Sequence, residues 1–562
     1  MVDPDRIELE SLYMGAQPLL DSFLERLRLA EILDQALDSH DRRIKLDSAR
    51  VLLVLIRNVA LSRRPLYAVP QWAGRFVPES LGLVARELAL LNDDRIGRSL
   101  DQLYRADRAT LQTRLVVQMT RAFQLDLAQF HHDSTTVTFS GEYAERPPRN
   151  RNKPPVRLTF GYNKDHRPDL KQLIWDLTVS EDGAVPVHCR VYDGNITDDQ
   201  THRETWDVLR ALSGRADFIY VADSKLCTKE NMTYIAGNHG RFITVLPQTR
   251  AEDAWFKAWI QKHEVTWTEL QRRPNRRRRN SPDEVYEGYE SPRRSAEGYR
   301  ILWIRSSQKW DLDRKKRQRK IDRALWEIGA LPGRIGSRSL KTQMQIRAKV
   351  EAILTQTGAA RWVTVEVIPR EEHVYKQAGP GRPGKNTVYV RIPRTTYDLK
   401  WQTREDTMRW DARIDGLFPL ITSIEDLSMA EVLAKYKYQP HLEKRHEQLK
   451  TVLEVAPINL KTPERIEAFL FIYFIALLVH ALVERQLRQA MKKQDIKTIP
   501  IYPEQRPCRR PTADKIIEFF ESLRRHRLLQ KGAPLNTFWD RLTNEHRQIL
   551  KLLEIPSSHF GQ

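Results

Sequence analysis

Two aspartates stand where a sheet could place them side by side. Asp133 lies inside QFHHDSTTVTF (129–139), a run rich in Thr, Val, Phe and His that predicts a strand, and Asp223 ends the short strand DFIYVAD. Open α/β sheets carry their chemistry at or just beyond strand ends. Paired carboxylates there suit hard divalent cations such as Mg²⁺, which prefer oxygen ligands. Two such ions about 3.5 to 4 Å apart activate a water or a hydroxyl and stabilise the departing oxygen in phosphodiester attack. Either aspartate alone would read as a turn or cap residue, and only the paired context raises them above that. Zinc is not expected: His131 and His132 are neighbours on one strand and point to opposite faces, while Cys189, Cys227 and Cys508 lie far apart.

A third carboxylate should come from a later helix. Tyr436, Gln439, Glu443 and Lys450 are spaced by three, four and seven residues, which puts them on one helical face. Pro440 removes a backbone donor inside that stretch, so the helix is expected to kink or restart there. Glu447 shares the face, and spacing leaves Glu443 and Glu447 as alternatives.

The elements that must position these acids run β-β-β-α-β-α-β from Gln129 to about 248. LIWDLTVS and AVPVHCRVY flank Asp182-Gly183, a hairpin signal, and helices and short strands follow, including a helix after Thr228. That order is the order of the ribonuclease H-like fold, in which the first and fourth strands are neighbours and Asp133 can meet Asp223. The expected fold is an α/β ribonuclease H-like catalytic core, a mixed sheet flanked by helices, interrupted by an α+β insertion, with all-α N- and C-terminal regions. The expected boundaries are 1–125 (helical, binding DNA ends), 126–248 (first part of the core), 249–426 (basic α+β insertion), 427–490 (second part, with the glutamate helix) and 491–562 (helical). Within the insertion, RRPNRRRR (272–279) and KKRQRK (315–320) predict disordered basic loops, and AGPGRPGKN (378–386) lacks the P-loop pattern and predicts a flexible turn. Ser428 and Glu431 form a capping box.

The chain has 562 residues and a formal charge of +20, from 93 Lys and Arg against 73 Asp and Glu, which favours a polyanionic partner. The first residues carry acids where a secretory signal needs a basic segment, so no export is expected. AFLFIYFIALLVHALV (468–483) contains His480 and is shorter than the roughly 20 residues of a membrane span, so it reads as a buried core helix. No membrane association is expected.

Four stretches resemble the insertion-sequence transposases of bacteria that carry a Y-R-E-K signature around their catalytic glutamate. These are DSTT (133–136), GYNKDHRPDLKQL (161–173), VADSKLCTKEN around Asp223, and YKYQPHLEKRHEQLK (436–450) followed by TPERIEAFLFIYFIALL. The likeness spans most of residues 45–490. It implies that Asp133, Asp223 and Glu443 are the catalytic, metal-binding triad, choosing Glu443 over Glu447, and that Tyr436, Gln439 and Lys450 contact DNA. Gln439 departs from the signature, which has arginine there; an amide can still bond phosphate but brings no charge. Lys164, His166, Arg167 and Lys171 would hold phosphates beside the acids, the alternative being a structural ion-pair network with Asp165 and Asp169. Those two aspartates are also rival acids, on a less rigid loop. The resemblance further implies two Mg²⁺ ions (Mn²⁺ as substitute), cleavage at element ends, 3′-hydroxyl strand transfer, terminal inverted repeats and target duplex as partners, a homodimer in synapsis, and a place in the bacterial cytosol with the nucleoid. An inactive DNA-binding derivative and a nuclease without strand transfer remain alternatives.

Overall fold

The computed structural model describes residues 7–37, 45–143, 154–162, 167–274 and 282–562, and the chain divides into two compact units. The first comprises 1–244, 422–424 and 434–562; the second comprises 245–421 and 425–433.

Five neighbouring strands of a mixed sheet lie in the first unit. The first strand, Gln129–Phe139, pairs antiparallel with the second, Lys171–Ser180, with Asp133 opposite Leu177. The second pairs antiparallel with the third, Pro186–Asp193. On its other edge the first strand runs parallel to the fourth, Ile219–Ala222, and the fourth parallel to the fifth, Arg241–Val245. The spatial order is therefore third, second, first, fourth, fifth. Parallel neighbours need crossovers, and helices His202–Ser213 and Lys229–Gly237 supply them. This mixed sheet flanked by helices is compatible with a ribonuclease H-like core.

The hairpin between the second and third strands turns through Glu181–Ala184, with Gly183 at φ +85° and Ala184 at φ +52°. Gly183 is required twice over, because a Cβ there would also lie 2.8 Å from Arg485 Cβ. Arg485 belongs to Pro463–Lys493, a 31-residue helix that carries the apolar run 468–483. The helix is long and apolar enough to cross a membrane by composition, yet 94% of its most apolar 18-residue window is buried inside the protein. It packs on helices Ser48–Leu61 and Asp93–Arg105, and His480 Nε2 donates to the Ala60 carbonyl at 2.9 Å.

Two expectations are corrected. The chain ends are not all-α: Ile7–Tyr13 pairs with Arg524–Gln530, which pairs with Ala533–Trp539, in a three-stranded antiparallel sheet. Ile7-Glu8-Leu9-Glu10 already alternates apolar and polar residues with the period of a strand. KKRQRK lies not in a loop but within the helix Ser307–Gly329, where it occupies one long basic stretch. Most of RRPNRRRR falls outside the described residues.

In the second unit, strands Leu417–Thr422, Arg300–Ser306, Glu284–Glu290 and Thr268–Arg273 lie side by side in that order. Two helices, Ser307–Gly329 and Gln343–Thr357, enclose a separate apolar cluster with the base of a two-stranded ribbon, Val363–Gln377 and Tyr389–Thr403. Ser428 and Glu431 form the expected capping box, each side chain bonded to the other's backbone N–H.

Gly183→Val forces a branched side chain into a positive-φ turn against Arg485. We expect a loss of about 3 kcal/mol in unfolding free energy by urea denaturation, with unchanged secondary structure.

Candidate active site

The first strand is buried at every residue except Asp133 and Thr138. Asp133 is thus a partly exposed acid in the middle of an otherwise buried strand. In the parallel pairing of the first and fourth strands the last matched residues are His132 and Ala222. One step further on each chain come Asp133, still within the first strand, and Asp223, just past the end of the fourth. Asp223 stays at that end because its carboxylate accepts from Lys225 N at 2.9 Å and its carbonyl accepts from the Thr244 hydroxyl.

Glu443 arrives from a short helix, Pro440–Glu447, and is exposed in its first turn. The helix restarts at Pro440, as the sequence predicts. Gln439 N and Leu442 N bond three residues back, to the Tyr436 and Gln439 carbonyls, so the chain tightens where proline offers no donor. Helix Met429–Tyr436 ends just before, and a π turn, Gln448–Val452, follows. The expected single α-helical face from 436 to 450 is therefore broken at both ends. Lys450 sits in the π turn, where a spacing of seven no longer means a shared face.

Tyr436 ends the helix just before this site. Its hydroxyl is pushed up to about 12, first by burial and then by the negative charges of Asp223, Glu443 and Asp133. His446, one turn beyond Glu443, brings Nδ1 to 3.6 Å from an Asp133 carboxylate oxygen and is itself buried. The sequence reading passed over it, although Glu443 and His446 have the i, i+3 spacing of one helical face.

Gln439 is 8% exposed, and both ends of its amide are engaged inside the protein. Its Oε1 accepts from His131 Nδ1 at 2.8 Å and its Nε2 donates to the His132 carbonyl at 3.1 Å. His131 Nε2 in turn accepts from Gln129 Nε2 at 2.8 Å, and Lys435 Nζ donates to Gln129 Oε1 at 3.0 Å. One direction of donation satisfies the whole chain, with a neutral imidazole protonated on Nδ1. Burial pushes His131 down to about 4, in keeping with that neutral form. Gln439 is therefore a buried tie between the glutamate helix and the Asp133 strand, where the sequence predicted a side chain reaching for DNA.

The opposite side of the same helix is tied by Arg445, which is 5% exposed. Its guanidinium donates to the Ala184 carbonyl at 2.9 Å, the Gly183 carbonyl at 3.0 Å, Gln448 Oε1 at 2.7 Å and Glu484 at 3.0 Å. Burial raises the Glu484 carboxyl, but Arg445 and Arg488 outweigh it and hold the group below its ordinary value.

His132 points to the other face, as strand parity requires. Its Nδ1 lies 3.0 Å from the Thr178 hydroxyl and its Nε2 3.6 Å from Asp176, a fully buried carboxylate that the sequence reading did not single out. Asp176 faces Ser134 across the ladder, so the alternation of the pleat keeps it away from Asp133.

Of the loop cations, Lys164 and His166 lie outside the described residues, as does Asp165. Arg167 forms a two-point ion pair with Asp169, at 2.9 and 2.7 Å, and Lys171 donates to the carbonyls of Glu142 and Tyr143. Both described cations thus have partners within the protein, the arrangement weighed as the alternative to DNA contact. Among the described residues no three His, Cys, Asp or Glu side chains stand as a ready-made metal cluster. The donors around Tyr436 are nonetheless all carboxylate oxygens, the set that a hard divalent ion takes.

Residues 10–117 match the model of a domain of unknown function (DUF4277), which covers the helical N-terminal part only. No curated protein matches the chain. Among solved structures, the cryo-EM structure of a piggyBac transposase synaptic complex with hairpin DNA aligns at 8% identity over 92% of this chain and 82% of that one, with a TM-score of 0.36. At that score the likeness carries no argument about this protein.

Two outcomes are expected. Gln439→Ala strips the His131 and His132 bonds and should cost about 1–3 kcal/mol of stability by urea denaturation. His131 and His188 are both pushed down to about 4, chiefly by burial, against about 6.5 in an unfolded chain. Between those values the unfolded state binds more protons. The stability from keeping them neutral is complete above pH 6.5 and drains away as pH falls to about 4. Denaturation curves from pH 7.5 to 4 should show that loss, shallower in His131→Gln.

Proposed function

We propose that this protein is a DNA transposase of the DDE type, of the insertion-sequence class, with Asp133, Asp223 and Glu443 as its catalytic carboxylates. The observation that carries the reading is the placement of Asp133 on the first strand and Asp223 just past the fourth, one step beyond the paired residues His132 and Ala222, with the Glu443 helix tied to the same strand through Gln439. A basic chain of charge +20 supports a nucleic-acid partner.

The three carboxylates would hold two Mg²⁺ ions, or Mn²⁺ in their place, which supply charge stabilisation to the attacking and leaving oxygens when bound. The remaining work falls to the chain. The Tyr436 hydroxyl stays protonated at neutral pH and can donate to a phosphate oxygen. His446 steadies the Asp133 carboxylate. Gln439 and Arg445 are positioning residues, holding the Glu443 helix to the sheet from its two sides. Lys164, His166, Arg167, Lys171 and Lys450 contribute phosphate contacts in this reading, with Arg167 exchanging Asp169 for DNA. In the first step a water oxygen bonds to phosphorus as the bond to the 3′ oxygen breaks. In the second the freed 3′-hydroxyl attacks a target phosphodiester and displaces the next 3′ oxygen. Terminal inverted repeats and target duplex are the partners, two copies pair in synapsis, and the protein works on the nucleoid in the bacterial cytosol.

The test is incubation with Mg²⁺ and a duplex carrying the DNA that flanks its gene. Joined products are expected. Cleavage without joining would make it a nuclease, and binding alone an inactive derivative. Asp133→Asn, Asp223→Asn and Glu443→Gln should each lower cleavage by roughly 10³-fold or more while binding persists. Chelation of divalent ions should have the same effect, and retained cutting by Glu443→Gln would overturn the assignment.

A further inference from the structure

The ribbon of the second unit is longer than its fold needs. Its strands pair without a break from Val363 opposite Thr403 to Gln377 opposite Tyr389. At about 3.4 Å per residue that is roughly 50 Å. Only the base is packed: Val363 and Val367 are buried, and Val365, Tyr397, Leu399 and Trp401 lean on the same helical cluster. Past Pro369 the ribbon leaves that core and extends about 27 Å further, eight residues to Gln377.

That outer half exposes large side chains, with Tyr375 at 64%, Tyr389 at 51% and Ile392 at 40%. A two-stranded ribbon with no third strand and no covering layer is marginal in water, so a structure that keeps one this long has something for it to lie against. Its charge indicates what. Arg370, Lys376, Arg382, Lys385, Arg391 and Arg394 face only Glu371 and Glu372 within the segment 370–394. Arg370 reaches Asp398 at 3.9 Å and Arg391 the His373 ring at 3.0 Å, whereas Lys376, Arg382 and Lys385 have no ion-pair partner among the described residues.

Another strand is a poor occupant. Pro369 and Pro393 each remove a backbone donor, and charges punctuate both strands, features that blunt an edge against further pairing. The major groove of B-DNA, about 12 Å wide, admits a two-stranded ribbon, and a reach of about 27 Å approaches one helical turn.

We infer that the outer half of the ribbon, from Pro369 to Thr395, is a DNA-binding arm that lies in the major groove of a duplex. The inference rests on the DNA reading above but not on its chemistry, so the two fail separately.

The test measures binding of the full chain to a labelled duplex of about 30 base pairs, in chelator and across a salt series. Each lost phosphate contact lowers the salt slope by about 0.9. The variant Lys376→Ala/Arg382→Ala/Lys385→Ala/Arg391→Ala should bind at least about tenfold more weakly at 0.15 M salt, with the slope reduced by about three to four. Guanine N7 protection seen with the parent should disappear, and Glu371→Gln/Glu372→Gln should bind more tightly. Arg382→Ala/Lys385→Ala, confined to the turn, gives a smaller loss in the same direction should the fourfold variant unfold. Unchanged affinity and slope would overturn the inference, as would a parent complex without guanine N7 protection. A shift from dimer to monomer at unchanged affinity would mean that the arm pairs copies instead. Asp133→Asn, bound normally but cutting nothing or cutting as before, reports on the catalytic reading alone.

Discussion

A neutral imidazole has one hydrogen to give and one lone pair to offer, and His131 uses both inside the protein. It stands on the strand that carries one acid and bonds to Gln439, which opens the helix that carries another. Burial keeps it uncharged, so its two bonds have fixed direction, from Gln129 into Nε2 and from Nδ1 into Gln439. Gln439 passes the connection on to the backbone of His132, immediately before Asp133. The glutamate helix is thereby tied to the Asp133 strand by directed polar bonds in addition to the packing of buried Leu442.

The second constraint acts from the other side. Arg445 is nearly as buried as His131, and a guanidinium taken out of water must find partners for its donors. It finds the Gly183–Ala184 turn of the sheet, Gln448 and Glu484 of the long core helix. Three elements distant in sequence are thus joined at one side chain, and removal of Glu484 would leave the Arg445 charge buried without a counter-charge, at a cost of about 3–5 kcal/mol, whereas Glu484 also pairs with Arg488 at 3.2 Å. Gly183 belongs to the same junction, since its missing side chain leaves room for Arg485. The glutamate helix is consequently held at two points while its solvent face, with Glu443, remains open.

The second unit follows a different rule. Its long ribbon is anchored by a few apolar residues at one end and is governed by charge and backbone edges at the other.

Much of the first unit was legible in the sequence, because period-two runs, Asp182-Gly183 and Pro440 are local signals that act through the backbone of their own segment. The succession of strands and helices along the chain, the restart of the helix at Pro440 and the burial of 468–483 follow from such signals. The strands near the two chain ends were hidden because their partners are some five hundred residues apart, Leu9 opposite Leu528, and neither run is convincing alone. The sequence by itself determined that Asp133 lies inside a strand, that Asp223 closes one, and that Glu443 and Glu447 share a helical stretch. Only the tertiary structure decided that Gln439 is a buried tie, that His446 stands beside Asp133, and that Asp176 is turned to the other face. These are properties of where a side chain is buried and what it faces across a sheet, and spacing along one chain does not contain them.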